Sequence, residues 1–316
     1  MKIRPVVKGL LTYIPGVQRF LPVKETGGTN SARYCYEVWL KHLTLLWQNG
    51  MRSIPDTMAE LGPGDSIGVG LAAMLSGVNH YYALDVVRYS DIETNVQIFD
   101  ELLTLFESRA ARPTRGWPDY DQYLDDNLFP GHILNDNLLR QTLDEKRIAA
   151  IRRAVTHIDH ENDHMGLTIS YMVPWSDQGI IKRNSVDLIL SHAVLEHVAD
   201  IEDTYRAFYL WLKPRGTMSH QIDFKSHGLS DKWNGYRGYS EFLWKMIMGR
   251  RPFLINRKTH SEHVDCIRKN GFHLICDLTR HRTDGLRRED LSDYWKNMTD
   301  EDLTCSEAFI QAEKGA

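Results

Sequence analysis

Short apolar segments alternate with amphipathic segments from Thr57 onward, and this alternation constrains the fold more than any other feature of the chain. Short apolar runs predict strands, whereas apolar residues recurring every three or four positions predict helices. The predicted strands are 57–61, 80–87, 167–173, 186–191, 217–224, 272–278 and 308–312, and the predicted helices are 31–48, 66–76, 91–108, 136–157, 200–212 and 259–270. This order predicts an α/β fold with a seven-stranded, mostly parallel sheet and helices on both faces.

The composition is that of a globular protein, with 42% hydrophobic and 25% charged residues in a chain of 316. We expect an N-terminal arm and helix over residues 1–52, followed by the α/β domain over 53–316. Two aromatic-rich stretches, at about 109–160 and 225–258, interrupt the alternation of strands and helices. We interpret them as helical inserts that build a substrate site.

Charge and cysteine usage limit the function classes. A net charge of −4 offers no broad positive field, which argues against a general nucleic-acid binder. Four cysteines without a Cys-x-x-Cys pair are typical of a reducing cytoplasm. No apolar run reaches the length of about 18 residues that a membrane helix needs, and prolines interrupt the mildly apolar first residues, which do not resemble a signal peptide. We therefore expect a cytoplasmic protein without stable membrane insertion.

A glycine-rich bend, residues 60–66, joins the first predicted strand to the next helix. Gly62 and Gly64 would let the backbone approach a ligand closely, and the helix start would offer free N–H groups. Asp85, at the end of the second predicted strand, could accept both hydroxyl groups of a ribose. The pattern predicts a nucleoside-containing cofactor at this bend. The alternative is that the glycines only make a tight turn between strand and helix.

Two kinds of nucleoside cofactor fit such a bend. A dinucleotide requires a third glycine, where this chain has Ile67, and places its pyrophosphate over the helix start, where Asp65 would repel it. S-adenosylmethionine has no phosphate and carries a sulfonium cation and an α-amino group, so Glu60 and Asp65 are compatible with it. The bend therefore favours S-adenosylmethionine over a nicotinamide dinucleotide.

Two later segments complete a recognisable pattern. Residues 185–198 read SVDLILSHAVLEHV, and the helix that follows ends in LKPRG at 212–216. With Glu60, the bend and Asp85, these segments resemble the class I S-adenosylmethionine-dependent methyltransferases, particularly their small-molecule branch. The resemblance implies a Rossmann-like fold. The chain departs from the family pattern at Ser66 and Arg215, where the family often has glycine.

The resemblance also implies a set of cofactor-binding residues. Ser66 would offer a helix-start N–H and a hydroxyl, and Met172 would contact the adenine because the family's acidic residue after the third strand is missing. The implied set is Glu60, Gly62, Gly64, Ser66, Asp85, Val86, Met172 and Ser191. Thr29 and Arg33, ahead of the first long helix, either close over the carboxylate of the cofactor or cap that helix.

Methyl transfer is an in-line displacement, so the protein must align the acceptor behind the methyl group. A hydroxyl acceptor also needs a general base, for which we consider His192, His197 and His220, with Asp223 as a further candidate. His192 either faces the site or caps the next helix, and His197 either acts there or is packed under the sheet edge. His220 and Asp223 point to opposite faces of a strand, so one of them at most lines the pocket, and we favour His220.

Two other groups of residues are candidates for binding a metal or a substrate. The histidine-rich segment 157–164 could hold a metal, but we interpret it as a solvated linker and predict no metal site. The aromatic and basic residues of 233–258 either form a pocket that stacks on sugar or aromatic rings, or form the core of a lid. We favour the pocket, and expect a small-molecule or sugar-containing acceptor.

The sequence thus predicts an enzyme, an S-adenosylmethionine-dependent methyltransferase that methylates an oxygen with help from a histidine base. One alternative is a non-catalytic S-adenosylmethionine- or nucleoside-binding module of the same fold. The other is a nicotinamide-dependent oxidoreductase.

Overall fold

A computed structural model describes residues 3–14, 28–112, 116–124, 126, 128–158, 165–175, 177–251 and 253–316. Its seven-stranded sheet has the order β3-β2-β1-β4-β5-β7-β6. The strands are β1 (Thr57–Leu61), β2 (His80–Leu84), β3 (Thr168–Met172), β4 (Val186–His192), β5 (Leu212–Asp223), β6 (Phe272–His281) and β7 (Cys305–Lys314). Only β7 runs antiparallel to its neighbours, so the predicted α/β fold with a mostly parallel sheet is confirmed.

Helices flank the sheet on both faces. They are α1 (Ile3–Leu11), α2 (Ala32–Gln48), α3 (Gly68–Leu75), α4 (Ile92–Glu107), α5 (Tyr120–Tyr123), α6 (Asp136–Thr142), α7 (Glu145–Thr156), α8 (Ile201–Trp211), α9 (Glu241–Met248), α10 (His260–Lys269) and α11 (Asp300–Thr304). Short 3-10 helices occur at Leu195–His197, Gly235–Gly238, Arg288–Asp290 and Asp293–Trp295. No helix in the described part of the chain is both long and apolar enough to cross a membrane.

Side chains of the central strands alternate between two apolar cores. Met58 and Leu188 join a core with α2, α3, α4 and α7, whereas Ala59 and Ile189 join a core with α8 and α10. This alternation follows from the two-residue period of a strand. Strand order reverses between β1 and β4, and in such sheets the carboxyl edge at that point is where ligands bind.

Helix α2 is part of the main core rather than of a separate arm. Ser31 accepts a hydrogen bond from the Tyr34 N–H and so caps the helix, and nearly all of its residues from Ala32 to Leu46 are buried against α3 and α4. The boundary that the sequence predicted at residue 52 therefore does not separate two cores. The apolar stripe of α2 packs on one face of the sheet, in the core that contains Met58 of β1 and Leu188 of β4.

The observed elements differ from the predicted ones in several places. The helix predicted over 136–157 is two helices, because Asp144 caps α7 by accepting the Lys146 N–H. Strand β5 begins at Leu212 rather than at residue 217, although Pro and Gly in LKPRG indicate a turn, and Arg215 there has a φ of +63°. Helix α9 lies inside the stretch 225–258, where the sequence analysis expects a helical insert without giving bounds for its helix.

Helix α1 packs on α9 through a close backbone contact. A Cβ added to Gly9 would lie 2.0 Å from the Met246 carbonyl oxygen, so only glycine allows this approach. Arg250 N–H donates to Thr12 Oγ1 at 2.8 Å and extends the contact. The start of the chain is thereby attached to the second insert.

Candidate functional site

The bend after β1 is fixed from two sides. Gly62 and Gly64 have φ angles of +68° and +76°, a region that other residues rarely adopt. The Gly62 N–H donates to the Leu84 carbonyl at 2.8 Å, and a Cβ on Gly62 would lie 2.6 Å from Val194 Cγ2. Both glycines are therefore required by the backbone path, and the bend packs between the end of β2 and the loop after β4.

Asp85 lies directly beside this bend, as the sequence predicted. Its Oδ1 accepts the Val86 N–H at 2.7 Å, and the Gly64 N–H is a further donor to the carboxylate. Oδ2 is buried and has no hydrogen-bond partner. Burial raises the pKa of the group, and these backbone donors offset part of the rise. A buried acceptor without a donor is costly, so the site fits a ligand that brings a hydroxyl group to Oδ2.

Glu60 supports the bend from below. The Tyr81 hydroxyl donates to Glu60 Oε2 at 2.5 Å, and the Gly70 N–H, at the start of α3, donates to the same carboxylate. Burial raises the pKa of Glu60 to about 7 against these donors. With its carboxylate held inside the fold, Glu60 ties β1 to β2 and α3.

Ser66 is engaged by the segment before α2. Its N–H donates to Thr29 Oγ1 at 3.3 Å and its hydroxyl donates to the Thr29 carbonyl. Both groups that the sequence analysis assigns to cofactor binding are therefore engaged by Thr29, which folds onto the start of the helix. Arg33 points elsewhere and donates to the Ala111 carbonyl at 2.5 Å, so it does not cover the bend.

The remaining predicted cofactor residues divide between the sheet edge and the interior. Val86 is 37% exposed, and Met172, at the end of β3, accepts the Asp85 N–H with its carbonyl at 3.1 Å. Ser191 is fully buried, and its Oγ lies 2.8 Å from His220 Nδ1. The Ser191 side chain therefore faces the core with α8, and the prediction that it contacts the cofactor is wrong for this side chain.

His192 ends β4, is half-buried and joins a set of hydrogen-bonding side chains under α2. Its Nδ1 lies 3.2 Å from His42 Nε2, and His42 Nδ1 lies 2.7 Å from Ser219 Oγ. Burial, with the charge of Lys41, lowers the pKa of His192 to about 3. The sequence analysis missed His42, although it lies four positions after Val38 on the apolar stripe of α2.

His220 is enclosed by the core with α8. Its ring stacks on Phe208 with centroids 5.3 Å apart, and burial lowers its pKa to about 3. Asp223, at the end of β5, has a side chain 18% exposed. The preference for His220 over Asp223 as the pocket residue is therefore wrong, because the end of β5 rather than its middle reaches the sheet edge.

His197 lies with two partners that come from different loops. Its ring and that of His227 form an edge contact with centroids 4.9 Å apart. His227 Nε2 lies 3.9 Å from Glu196 Oε1 and 3.8 Å from Asp223 Oδ1. The sequence analysis did not single out Glu196 or His227. We call Glu196, His197 and His227 the acceptor-edge cluster, because it lies where β4 and β5 end.

Asn256 holds the turn that carries this cluster. Its side chain donates to the carbonyls of Leu195, at 2.7 Å, and Val198, at 2.8 Å. Its N–H donates to the Glu196 carbonyl at 2.7 Å. The end of the second insert thus fixes the loop after β4.

Several aromatic residues of the second insert form a core with the segment around Trp295. Tyr236, Trp244 and Trp295 are buried in it. The guanidinium of Arg237 donates to the carbonyl of Asp302 at 2.8 Å, and that of Arg257 pairs with Glu241 at 2.6 Å. The prediction that this stretch stacks on ligand rings is wrong for these buried residues, and the lid-core alternative describes them. In the segment 157–164, residues 159–164 lie outside the described residues.

Comparison with known proteins agrees with the fold. Residues 152–219 match a family profile described as a methyltransferase domain. No curated protein matches the chain significantly.

Solved structures that are similar to the chain are methyltransferases. One, an S-adenosylmethionine-dependent methyltransferase from Mesorhizobium loti, is 12% identical with a TM-score of 0.42, and the match covers 91% of this chain and 100% of that one. Another, phosphoethanolamine N-methyltransferase 2 from Haemonchus contortus with S-adenosyl-L-methionine, is 14% identical with a TM-score of 0.44, over 96% and 61% of the two chains. The profile match and the sheet order agree with the resemblance to S-adenosylmethionine-dependent methyltransferases that the sequence indicates.

Proposed function

We infer that this chain, an S-adenosylmethionine-dependent methyltransferase by its domain match and fold, transfers the methyl group to an oxygen of a small-molecule or sugar-containing acceptor. One observation carries the proposal. A buried carboxylate with an unused acceptor, Asp85, lies beside the glycine bend at the point where the strand order reverses. A nucleoside without phosphate suits this arrangement, because a ribose hydroxyl supplies the missing donor.

The residues that would hold the cofactor lie along the ends of β1, β2 and β3. Asp85 would bind the ribose, the backbone of Gly62 and Gly64 would form the floor, and Val86 and Met172 would contact the adenine. When bound, S-adenosylmethionine supplies a methyl group on a sulfonium that leaves as a neutral thioether, so the protein needs no acid for the leaving group. Glu60 adds negative charge near the cation once it is ionised.

The acceptor would bind on the other side of the reversal point, at the ends of β4 and β5. Among the three histidines considered as bases, His197 is the one at this edge, whereas His192 and His220 have pKa values of about 3 and would be poor bases at neutral pH. We therefore propose His197 as the group that receives the proton of the acceptor. His192 and His42 would shape the site from beneath.

The kind of acceptor follows from charge and location. The net charge of −4 favours a small acceptor over a nucleic acid. Cysteines 35, 266, 276 and 305 are free thiols, which fits the proposed cytoplasmic location.

A pair of measurements tests the proposal. Calorimetric titration should show binding of S-adenosylhomocysteine and none of NADH, and incubation of the protein with labelled S-adenosylmethionine and a metabolite extract should label a small molecule. Preferential binding of NADH would overturn the assignment. Binding of S-adenosylhomocysteine without transfer to any acceptor would instead support the non-catalytic module.

A further inference from the structure

Only His197 of the acceptor-edge cluster has a role in the proposed transfer, although Glu196 and His227 beside it also offer atoms that could bind a metal ion. Glu196 and His197 are adjacent on the 3-10 helix after β4, and His227 lies on the loop after β5. One ligand atom from each residue lies within 4.8 Å of the other two. We propose that Glu196, His197 and His227 bind one divalent transition-metal ion.

The chemistry of the donors selects the class of ion. Two imidazoles and one carboxylate are the ligands of catalytic zinc and of related transition-metal sites, whereas magnesium and calcium prefer oxygen alone. Metal–ligand bonds of about 2.0–2.1 Å in a tetrahedral site place ligand atoms about 3.3 Å apart. His227 Nε2 and Glu196 Oε1 are 3.9 Å apart, so small side-chain rotations would close the site.

The burial of Glu196 is the independent observation that points to a cation. The residue is 3% exposed, and no side chain donates a hydrogen bond to either of its carboxylate oxygens, which lie near the backbone N–H groups of Glu196 and Asp223. A carboxylate in this setting is costly unless a positive charge or a proton reaches it. The exposed part of the cluster is His227, whose side chain is 28% accessible and would leave the ion open to a ligand.

The neighbouring charges do not supply that cation. Lys225 pairs with Asp223 at 3.1 Å and with Glu307 at 2.8 Å, and Arg280 pairs with Glu307 at 3.2 Å. These two cations serve two other carboxylates, which leaves Glu196 without an ion pair to lysine or arginine among the described residues. A divalent ion between Glu196 and the two imidazoles would complete the local charge balance.

The role of the ion rests on the proposed function, although its binding does not. An ion at this edge would bind the acceptor hydroxyl and lower its pKa, so that the proton passes to bulk water and the alkoxide stays on the ion. His197 would then act as a ligand, and the ion would replace it as the group that activates the acceptor. The two roles of His197 exclude each other, and they predict different dependence on metal.

Binding is tested with Co²⁺ alone, on untagged protein stripped with a chelator. Wild type should bind one equivalent with visible d–d absorption, and Glu196→Gln and His227→Asn should each weaken binding at least tenfold. His132→Asn, at an exposed histidine outside the cluster, is the control and should bind as wild type does. Equal Co²⁺ affinity in wild type and Glu196→Gln, or no binding by wild type, would overturn the proposal.

A second measurement distinguishes loss of metal binding from loss of the folded structure. Thermal unfolding without metal should show Glu196→Gln at least as stable as wild type, because the change removes a buried charge, and Co²⁺ should raise the midpoint of wild type only. A Co²⁺-induced rise of equal size in Glu196→Gln would contradict the assignment. S-adenosylhomocysteine binding should be unchanged in Glu196→Gln, so absence of a metal site would leave the proposed methyl transfer standing, with His197 as base.

Discussion

Asp85 is the residue on which the proposed cofactor binding depends most directly. Its Oδ2 is buried beside the bend without a donor, so the folded protein already bears the cost of desolvating it. A ligand hydroxyl at that atom gains a hydrogen bond to a charged group without further loss of water. Substitutions at Gly62 test the site less cleanly, because the φ of +68° and the contact with Val194 would strain the fold.

Replacing Asp85 by asparagine should weaken binding of S-adenosylhomocysteine at least tenfold, because hydrogen bonds to charged groups contribute about 1.5–3 kcal/mol. Calorimetry measures the change. Asp91→Asn is the matched control, since asparagine caps α4 as well as aspartate does and Asp91 is an exposed N-cap. Unchanged affinity in Asp85→Asn would remove this residue from the site.

Glu60 should make stability depend on pH. Its pKa in the folded chain is about 7, above the ordinary value of 4.5, so the folded state holds a proton that the unfolded state has already lost. The contribution of Glu60 to the free energy of unfolding is therefore fully present below the ordinary pKa of 4.5. It falls by about 3 kcal/mol at most as the pH rises towards 7, and it is constant above that pH.

The comparison of Glu60→Gln with wild type isolates this effect. Urea unfolding at several pH values should show wild type losing stability across that range relative to the variant, which has no proton to lose at this position. A difference between the two proteins that stays constant with pH would contradict the raised pKa.

At the scale of elements, the loop after β4 is positioned by a segment distant in sequence. Asn256 bonds to three carbonyls around the 3-10 helix Leu195–His197, and nothing in the local sequence of that helix indicates this partner. The bend after β1, in contrast, could be predicted from local features, namely its glycines and the short separation along the chain from the end of β2. Local chemistry is therefore predictable, whereas contacts between remote loops are not.

Asn256→Ala should lower the stability of the protein by about 1–3 kcal/mol through the lost hydrogen bonds. It should also reduce kcat of the methyl transfer while S-adenosylhomocysteine affinity stays within about twofold, because the loop carries the acceptor edge rather than the cofactor site. Asn270→Ala, which loses a similar bond to the Cys266 carbonyl at 2.8 Å, should destabilise without lowering kcat. Equal loss of kcat in both variants would indicate a general effect of instability.

The sequence predicted the sheet and the position of Asp85 beside the bend better than the side chains at the ends of β4 and β5. Strands β1 to β4 follow from apolar runs, and Asp85 beside the bend follows from strand order. Ser191 and His220 were misjudged because the two-residue alternation of β4 and β5 turns both side chains into the core with α8. His42 and His227 come from a helix and a loop that only the folded chain brings to this edge.

At the scale of the whole molecule, the proposed cofactor site and the proposed acceptor site lie side by side at one edge of the sheet. The ends of β1 to β3 carry the cofactor residues, and the ends of β4 and β5 carry the acceptor-edge cluster. A third, smaller apolar core joins α9 to the segment around Trp295, and α1 packs on it. The first helix therefore stabilises the insert rather than the main cores.

Gly9→Ala should detach α1 from α9, since its Cβ would lie 2.0 Å from the Met246 carbonyl oxygen. Hydrogen exchange should show faster exchange in both helices, with β1 and β4 unchanged. Gly131→Ala is the control, because a Cβ there meets open space. Loss of protection in β1 and β4 as well would mean that α1 supports the whole fold.

The most direct test of the account is a crystal structure of the protein with S-adenosylhomocysteine. We expect the ribose hydroxyls within hydrogen-bonding distance of Asp85 and the amino-acid end of the ligand above the bend at Gly62 and Gly64. A ligand bound elsewhere, or a ribose that leaves Asp85 Oδ2 without a donor, would contradict the central claim that this bend and this carboxylate form the cofactor site.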